Sequence, residues 1–483
     1  MSVSTSQTNA LWRARHSAVA RALMSQGYVL GTVTGVPAIF AMFEDNMLLL
    51  AALLIPALIF IGIGMISPRI PPPRDLRNIE AICTVSAIFI IITIAALPAF
   101  MVLGMTFIDA LFEASSGTTS TGLTVTSDLS NWPLSGHVLR GWLQWVGGFA
   151  IALAGVATII GPRSAVKKIG ESEVGQHDIL SSTRLQARNL LKVYCLITGL
   201  SFAILVLVLP SWWEAFVISL SAVSTGGFAP RADSLASYSS IAQILIMLIC
   251  LSTTVSMLFY VLIYRNGLKK AISTTNVKPV LLTALCGTFV ILTVMLISTE
   301  FTETALLNSW LNFLSGFTTA GFSVSPVTEV PVITAVILVI MVIGGGIGST
   351  AGGIKIDRLV ILLKILQISI NRMRTPPHAV LKLREFGQWM TQERIVSLVA
   401  VLTCYALTLM ICWIIFLASG HPAFSSLFEI VSALSTVGLS TGITGPDMPT
   451  HLKFVLICAM LLGRLEFLAL IVALSPITWH QRS

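Results

Sequence analysis

Hydroxyl-bearing residues and glycines recur together at four places in this chain. "SGTTSTGL" begins at Ser116, "SAVSTGGF" at Ser221, "SGFTTAGF" at Ser315 and "SALSTVGL" at Ser432. All four fit S-[AG]-x-[ST]-[ST]-x-G-[FL], and none contains a carboxylate, an imidazole or a thiol. What such a segment offers is oxygen. Backbone carbonyls and hydroxyls can replace the water around a dehydrated monovalent cation. Glycine lets consecutive carbonyls turn to one side through conformations closed to other residues. A single copy reads better as small residues at a helix–helix contact. Four copies in one chain favour the ion-binding reading.

The surroundings of each copy are alike. An apolar span precedes it, and a stretch such as "FIDALFEAS" or "AFSSLFEIV", too short to cross a bilayer, leads into it. Another span follows. The first and fourth copies also share Phe112-Glu113 and Phe428-Glu429. The chain as a whole has 483 residues, 55% of them hydrophobic and only 10% charged, with a mean hydropathy of +0.89. A soluble protein of that size needs more charge on its surface, so the composition is that of a polytopic membrane protein.

Apolar runs at 27–43, 47–67, 79–106, 137–160, 189–210, 239–264, 278–299, 331–370 (interrupted), 393–418 and 450–476 predict ten crossings. With the N-terminus inside, the inner segments hold most of the 29 Lys and Arg, from Arg13, Arg15 and Arg21 through Lys364, Arg372 and Arg374 to Arg482. The positive-inside rule therefore predicts cytoplasmic termini. The net charge of +8 is then topological and gives no reason to expect a nucleic-acid partner. Glu44, Asp45, Asp109, Asp128, Asp233, Glu300, Glu303, Glu329 and Asp447 fall outside. They either concentrate cations at an entrance or are what remains where basic residues are excluded.

Each copy thus sits on the outer side in a unit of span, half-membrane helix, polar loop and span. Loops enter a membrane only where they line a water-filled path or are buried in protein, so four of them suggest a ring around one axis. Short helices ending at that axis add partial negative charge, which favours cations. The expected fold is all-α: four such repeats in pseudo-fourfold symmetry, plus two extra N-terminal spans. The expected divisions are 1–75, then 76–165, 166–266, 267–372 and 373–483.

Gly344, Gly345, Gly346, Gly348, Gly352 and Gly353 interrupt what would otherwise be one long helix. The break is expected to form a loop across the ion path on the cytoplasmic side, or else a packing kink. Two basic residues lie deep in apolar runs. Arg464 would place positive charge below the four loops or anchor the glycine-rich loop. Lys355 does something similar or simply snorkels to the inner surface. Seven cysteines in apolar stretches form no CxxC, and the histidines form no HExxH, so a metalloenzyme has little support.

Several stretches together resemble the Trk/Ktr/HKT superfamily of potassium transporters, and within it the bacterial Trk-type uptake subunit. They are the four loops, "WLQWVGGFAIAL" from Trp142, "GGGIGSTAGGIK" from Gly344 and "GRLEFLAL" from Gly463. The resemblance implies one pore per chain, with potassium as the transported substrate. It implies a filter made by Ser120, Thr121 and Gly122; Thr225, Gly226 and Gly227; Thr319, Ala320 and Gly321; and Thr436, Val437 and Gly438. It makes the glycine-rich segment a gate. It also implies a homodimer in a bacterial inner membrane and a cytosolic nucleotide-binding regulatory subunit, with no nucleotide on this chain. Gly122 at the first filter position favours potassium over a sodium-permeable or symporting variant.

Overall fold

The computed structural model describes residues 13–73, 76–126, 128–159, 179–275, 277–297, 302–328, 330–376, 384–385, 388–389, 392–465 and 467–479. Among these the only strands are a two-residue antiparallel ladder, β1 (Arg384–Glu385) with β2 (Gln388–Trp389). Everything else regular is helical, as a bilayer requires of a chain that must close its own backbone hydrogen bonds.

The chain opens with α1 (His16–Met24), then a hairpin of α2 (Gly27–Ala41) and α3 (Met47–Ile66). Asn46 caps α3 by accepting from the Leu49 N–H at 3.0 Å. The hairpin closes tightly because Gly27 faces Gly64; a Cβ on Gly27 would lie 2.5 Å from the Gly64 nitrogen.

Four repeats follow. The first is α4 (Asn78–Val102), α5 (Phe107–Thr118) and α6 (Leu134–Ile159). The second is α7 (Ile179–Leu205), α8 (Trp212–Val223), α9 (Ser240–Thr254) and α10 (Met257–Asn266), followed by the short α11 (Leu268–Thr274). The third is α12 (Val277–Ile297), α13 (Glu303–Thr318), α14 (Pro331–Ile343) and α15 (Ile356–Arg372). The fourth is α16 (Gln392–Ala418), α17 (Ala423–Leu434), α18 (Thr450–Arg464) and α19 (Phe467–Leu474), with α20 (Pro476–Trp479) closing the chain.

Among the described residues, five helices are long and apolar enough to cross a membrane alone, and two bent pairs qualify as one span each. The other three expected crossings are α2, which is only 15 residues long; α6, which carries Arg140; and the interrupted α14–α15. Two expected runs, 450–476 and 239–264, are bent pairs rather than continuous helices; the second bends by 76° between α9 and α10. The backbone groups freed there are satisfied from elsewhere in the protein, as the next subsection shows.

The short helices α5, α8, α13 and α17 occupy the centre. Residues 112–118, 217–223, 311–318 and 428–434 are buried without exception. The hydrophobic core runs between and around them, with Phe112, Phe313, Phe317 and Phe428 fully enclosed.

Candidate functional site

Each short helix ends the same way. Thr121 N–H donates to the Ser116 carbonyl at 2.9 Å, Gly226 to Ser221 at 2.8 Å, Ala320 to Ser315 at 3.0 Å and Val437 to Ser432 at 2.8 Å. The preceding residue donates three positions back: Ser120 to Gly117, Thr225 to Ala222, Thr319 to Gly316 and Thr436 to Ala433. This is the Schellman arrangement, which needs a left-handed residue at its turn, usually glycine. Here the residue is a hydroxyl amino acid in all four copies, with φ of 51° at Ser120, 51° at Thr225, 54° at Thr319 and 47° at Thr436. Left-handed threonine is costly, on the order of 1–3 kcal/mol at each position. Four repetitions of the same strain make these positions candidates for a functional role.

Two residues on, the glycines return to positive φ: 94° at Gly122, 84° at Gly227, 74° at Gly321 and 101° at Gly438. Alternation of handedness turns successive peptide groups to a common side. The glycines also close a ring. A Cβ on Gly122 would fall on the Gly226 carbonyl oxygen, and one on Gly227 would meet that of Ala320. One on Gly321 would meet Val437, and one on Gly438 would meet Thr121. The contacts run from the first loop to the second, third and fourth and back to the first. No side chain other than hydrogen fits at any of the four.

The glycine-rich segment lies between α14 and α15, against the side of the ring where the short helices end. Gly352 N–H donates to the Thr319 hydroxyl at 2.6 Å, and Gly353 N–H to the Ser435 carbonyl at 3.0 Å. The Thr225 and Thr350 hydroxyls are 3.3 Å apart. Gly346 N–H donates to the Thr254 carbonyl at 3.1 Å, and Met257 N–H donates to the Gly348 carbonyl at 2.8 Å. These last two bonds complete the backbone at the α9–α10 bend. Gly155 of α6 touches the segment too, since a Cβ there would lie 2.7 Å from the Gly348 nitrogen. One loop therefore contacts all four repeats.

A family model described as TrkH, cation transport protein, matches residues 77–480. The chain belongs to this TrkH cation transport family. It is 25% identical over 452 residues to an uncharacterized cation transporter of Methanocaldococcus jannaschii, covering 93% of each chain. It is 28% identical to the Trk system potassium uptake protein TrkH of Salmonella typhimurium, over 78% of this chain and 80% of that one. The crystal structure of the potassium transporter TrkH from Vibrio parahaemolyticus superposes with a TM-score of 0.85 at 21% identity, over 96% of this chain and 100% of that one. The fold is therefore the TrkH fold, and the chain is a transporter rather than an enzyme.

The basic residues expected in this TrkH-family site take distinct positions. Arg464, at the end of α18, donates from Nη1 to the Thr350 carbonyl at 3.0 Å and stands 3.5 Å from the Thr436 hydroxyl. It therefore touches both the glycine-rich loop and the ring. Its Nε and Nη2 are buried with no hydrogen-bond partner among the described residues. The Lys355 ammonium folds back to donate to the Ala351 carbonyl of its own loop. Glu466, two positions after Arg464 in sequence, lies outside the described residues, as do Glu300 and Glu329. Of the outer acids, Asp109 is paired with Lys453 at 2.6 Å, and Glu44 accepts from the Ser135 N–H at 2.8 Å. Asp128 accepts from Ser130 and Asn131. Much of their charge is engaged locally.

Two supports went unread in the sequence. Arg140 is a third charged residue deep in an apolar run, and it pairs with Glu113 at 2.8 Å with both side chains buried. It also donates to the Ala229 carbonyl at 3.0 Å and stacks over the Phe228 ring, so it ties the first short helix to the segment after the second loop. Glu429, the counterpart of Glu113, instead accepts from the Ser440 and Thr444 hydroxyls and the Thr441 N–H, each within 2.7 Å. The recurring Phe-Glu was the available signal. The second support is Gln144, one helical turn after Arg140 on α6.

Proposed function

We propose that this chain carries potassium into the cell through the ring of four loops. Ser120 to Gly122, Thr225 to Gly227, Thr319 to Gly321 and Thr436 to Gly438 form the filter. The closed ring of glycine contacts carries the reading. It fixes backbone oxygens from four loops around one axis, and none of these residues is ionisable. Neutral oxygens at fixed spacing suit a weakly hydrated monovalent cation better than a divalent one, which binds to carboxylates. The names of the Salmonella typhimurium and Escherichia coli relatives, Trk system potassium uptake proteins, support the choice of ion.

The glycine-rich loop with Gly344, Gly345, Gly346, Gly348, Gly352, Gly353 and Lys355 acts as the gate, and Arg464 holds it shut. Its bonds to Thr319, Ser435 and Thr254 support a closed position across the path. The chain works as a homodimer in a bacterial inner membrane with cytoplasmic termini. A cytosolic nucleotide-binding subunit regulates it through the basic inner segments. Potassium-limited growth of an uptake-deficient strain tests the reading. Rescue by this chain, strengthened by the co-expressed cytosolic subunit, is expected; failure to rescue with the protein present in the membrane overturns it.

A further inference from the structure

The second loop differs from the others in two ways that belong together. At the position before the filter glycine the other loops carry Thr121, Ala320 and Val437, so the ring itself accepts a side chain there. Only the second loop has glycine, Gly226. The reason is Gln144, which projects from α6 of the first repeat and is fully buried. A Cβ on Gly226 would lie 2.5 Å from its Oε1. The glycine makes room for the glutamine.

Gln144 uses that room completely. Its Nε2 donates to the Gly226 carbonyl at 2.6 Å. Its Oε1 accepts from the Ser221 hydroxyl at 2.7 Å and from the Phe228 N–H at 3.1 Å. In the first and fourth loops the motif serine serves its own loop: Gly122 N–H donates to the Ser116 hydroxyl at 3.1 Å, and Gly438 N–H to that of Ser432 at 3.0 Å. In the second loop the serine turns to Gln144 instead. The Gly226 carbonyl that Gln144 holds is also the oxygen against which Gly122 packs. One amide thus fixes the seam between the first and second loops.

We infer that Gln144 is a selectivity-determining positioning residue: it sets the second loop's backbone, and through the Gly226 carbonyl the spacing of the ring, without touching the ion. This rests on the four-loop filter proposed above. A buried amide with both ends satisfied rigidifies what it holds, and losing one end leaves buried groups unpaired.

The test is separate potassium and sodium flux by the purified full-length chain in lipid vesicles, normalised to reconstituted protein. The set is the parent, Gln144→Met, Gln144→Glu, Gly226→Ala and Gly122→Ser. Met fills similar volume without the hydrogen bonds. Glu retains both accepted bonds and loses the donated one. Ala at 226 pushes Gln144 away from the other side. Each is expected to lower the potassium-to-sodium ratio about fivefold, the scale of one lost hydrogen bond. A purely structural role would lower both fluxes in proportion and leave the ratio unchanged, and that result overturns the inference. If Gln144→Met does not fold, Gln144→Glu and Gly226→Ala decide it. If Gly122→Ser lowers the ratio while these variants retain it, the inference fails and the filter stands. If Gly122→Ser also retains it, the filter reading fails and takes the inference with it.

Discussion

The ring of four loops and the glycine-rich loop beside it use the same residues, glycine, serine and threonine, but are held in opposite ways. Each ring loop is anchored mainly by its own short helix through the paired Schellman bonds, such as Thr121 to Ser116 and Ser120 to Gly117. The glycine-rich loop is anchored largely by other repeats, through Thr254 and Met257 of the second and Ser435 and Arg464 of the fourth. Local anchoring fixes a geometry once its helix forms. Anchoring by distant partners can be released without unfolding anything, which suits the proposed gate as local anchoring suits the proposed filter.

That contrast predicts a graded series. The largest effect belongs to Gly438→Ala in the ring. The new Cβ meets the Thr121 carbonyl, and alanine is strained at a φ of 101°. Potassium flux is expected to fall about a hundredfold, since strain of 1–3 kcal/mol is joined by an overlap that only movement of the neighbouring loop relieves. Comparable loss of flux from a substitution at exposed positions of α14 would erase the distinction.

Next comes Arg464→Ala, which removes the charged donor to the Thr350 carbonyl. Flux should rise about tenfold, the scale of a charge-assisted bond, with the potassium-to-sodium ratio unchanged. Thr319→Val follows. Valine keeps the shape and the left-handed strain but cannot accept from the Gly352 N–H. An increase of about fivefold in flux at constant ratio is expected. A changed ratio with unchanged flux in either variant would mean that loop and ring are one unit, not two. The smallest effect is Ala335→Ser, on the exposed face of α14, where less than about a twofold change is expected.

The sequence made the repeats legible because a motif with six defined positions recurred with the same neighbours. It made the break at 344–355 legible because glycines crowd it. It did not reveal the α9–α10 bend. "STTVSM" holds no glycine or proline, and the bend is completed by backbone bonds to Gly346 and Gly348, nearly a hundred positions away in the chain. Nor did it reveal that the first left-handed position in each loop is Ser120, Thr225, Thr319 or Thr436, because propensity assigns positive φ to glycine. The hydroxyls are there for their partners: Gln144 carbonyl for Ser120, Thr350 for Thr225, Gly352 for Thr319. Gln144 itself was hidden because it and Arg140 are too few polar residues in an apolar span to carry a periodic signal.

On the proposed reading, backbone oxygens of a four-glycine ring select the ion. The most direct measurement is the potassium-to-sodium permeability ratio of the reconstituted chain before and after Gly122→Ser. The serine Cβ meets the Gly226 carbonyl, and its backbone is strained at a φ of 94°. The distorted ring should fail the larger, fully dehydrated ion first. The parent is expected to prefer potassium and the variant to show a ratio about tenfold lower, with protein still in the membrane. A variant that discriminates as well as its parent would show that the first loop is not part of the filter.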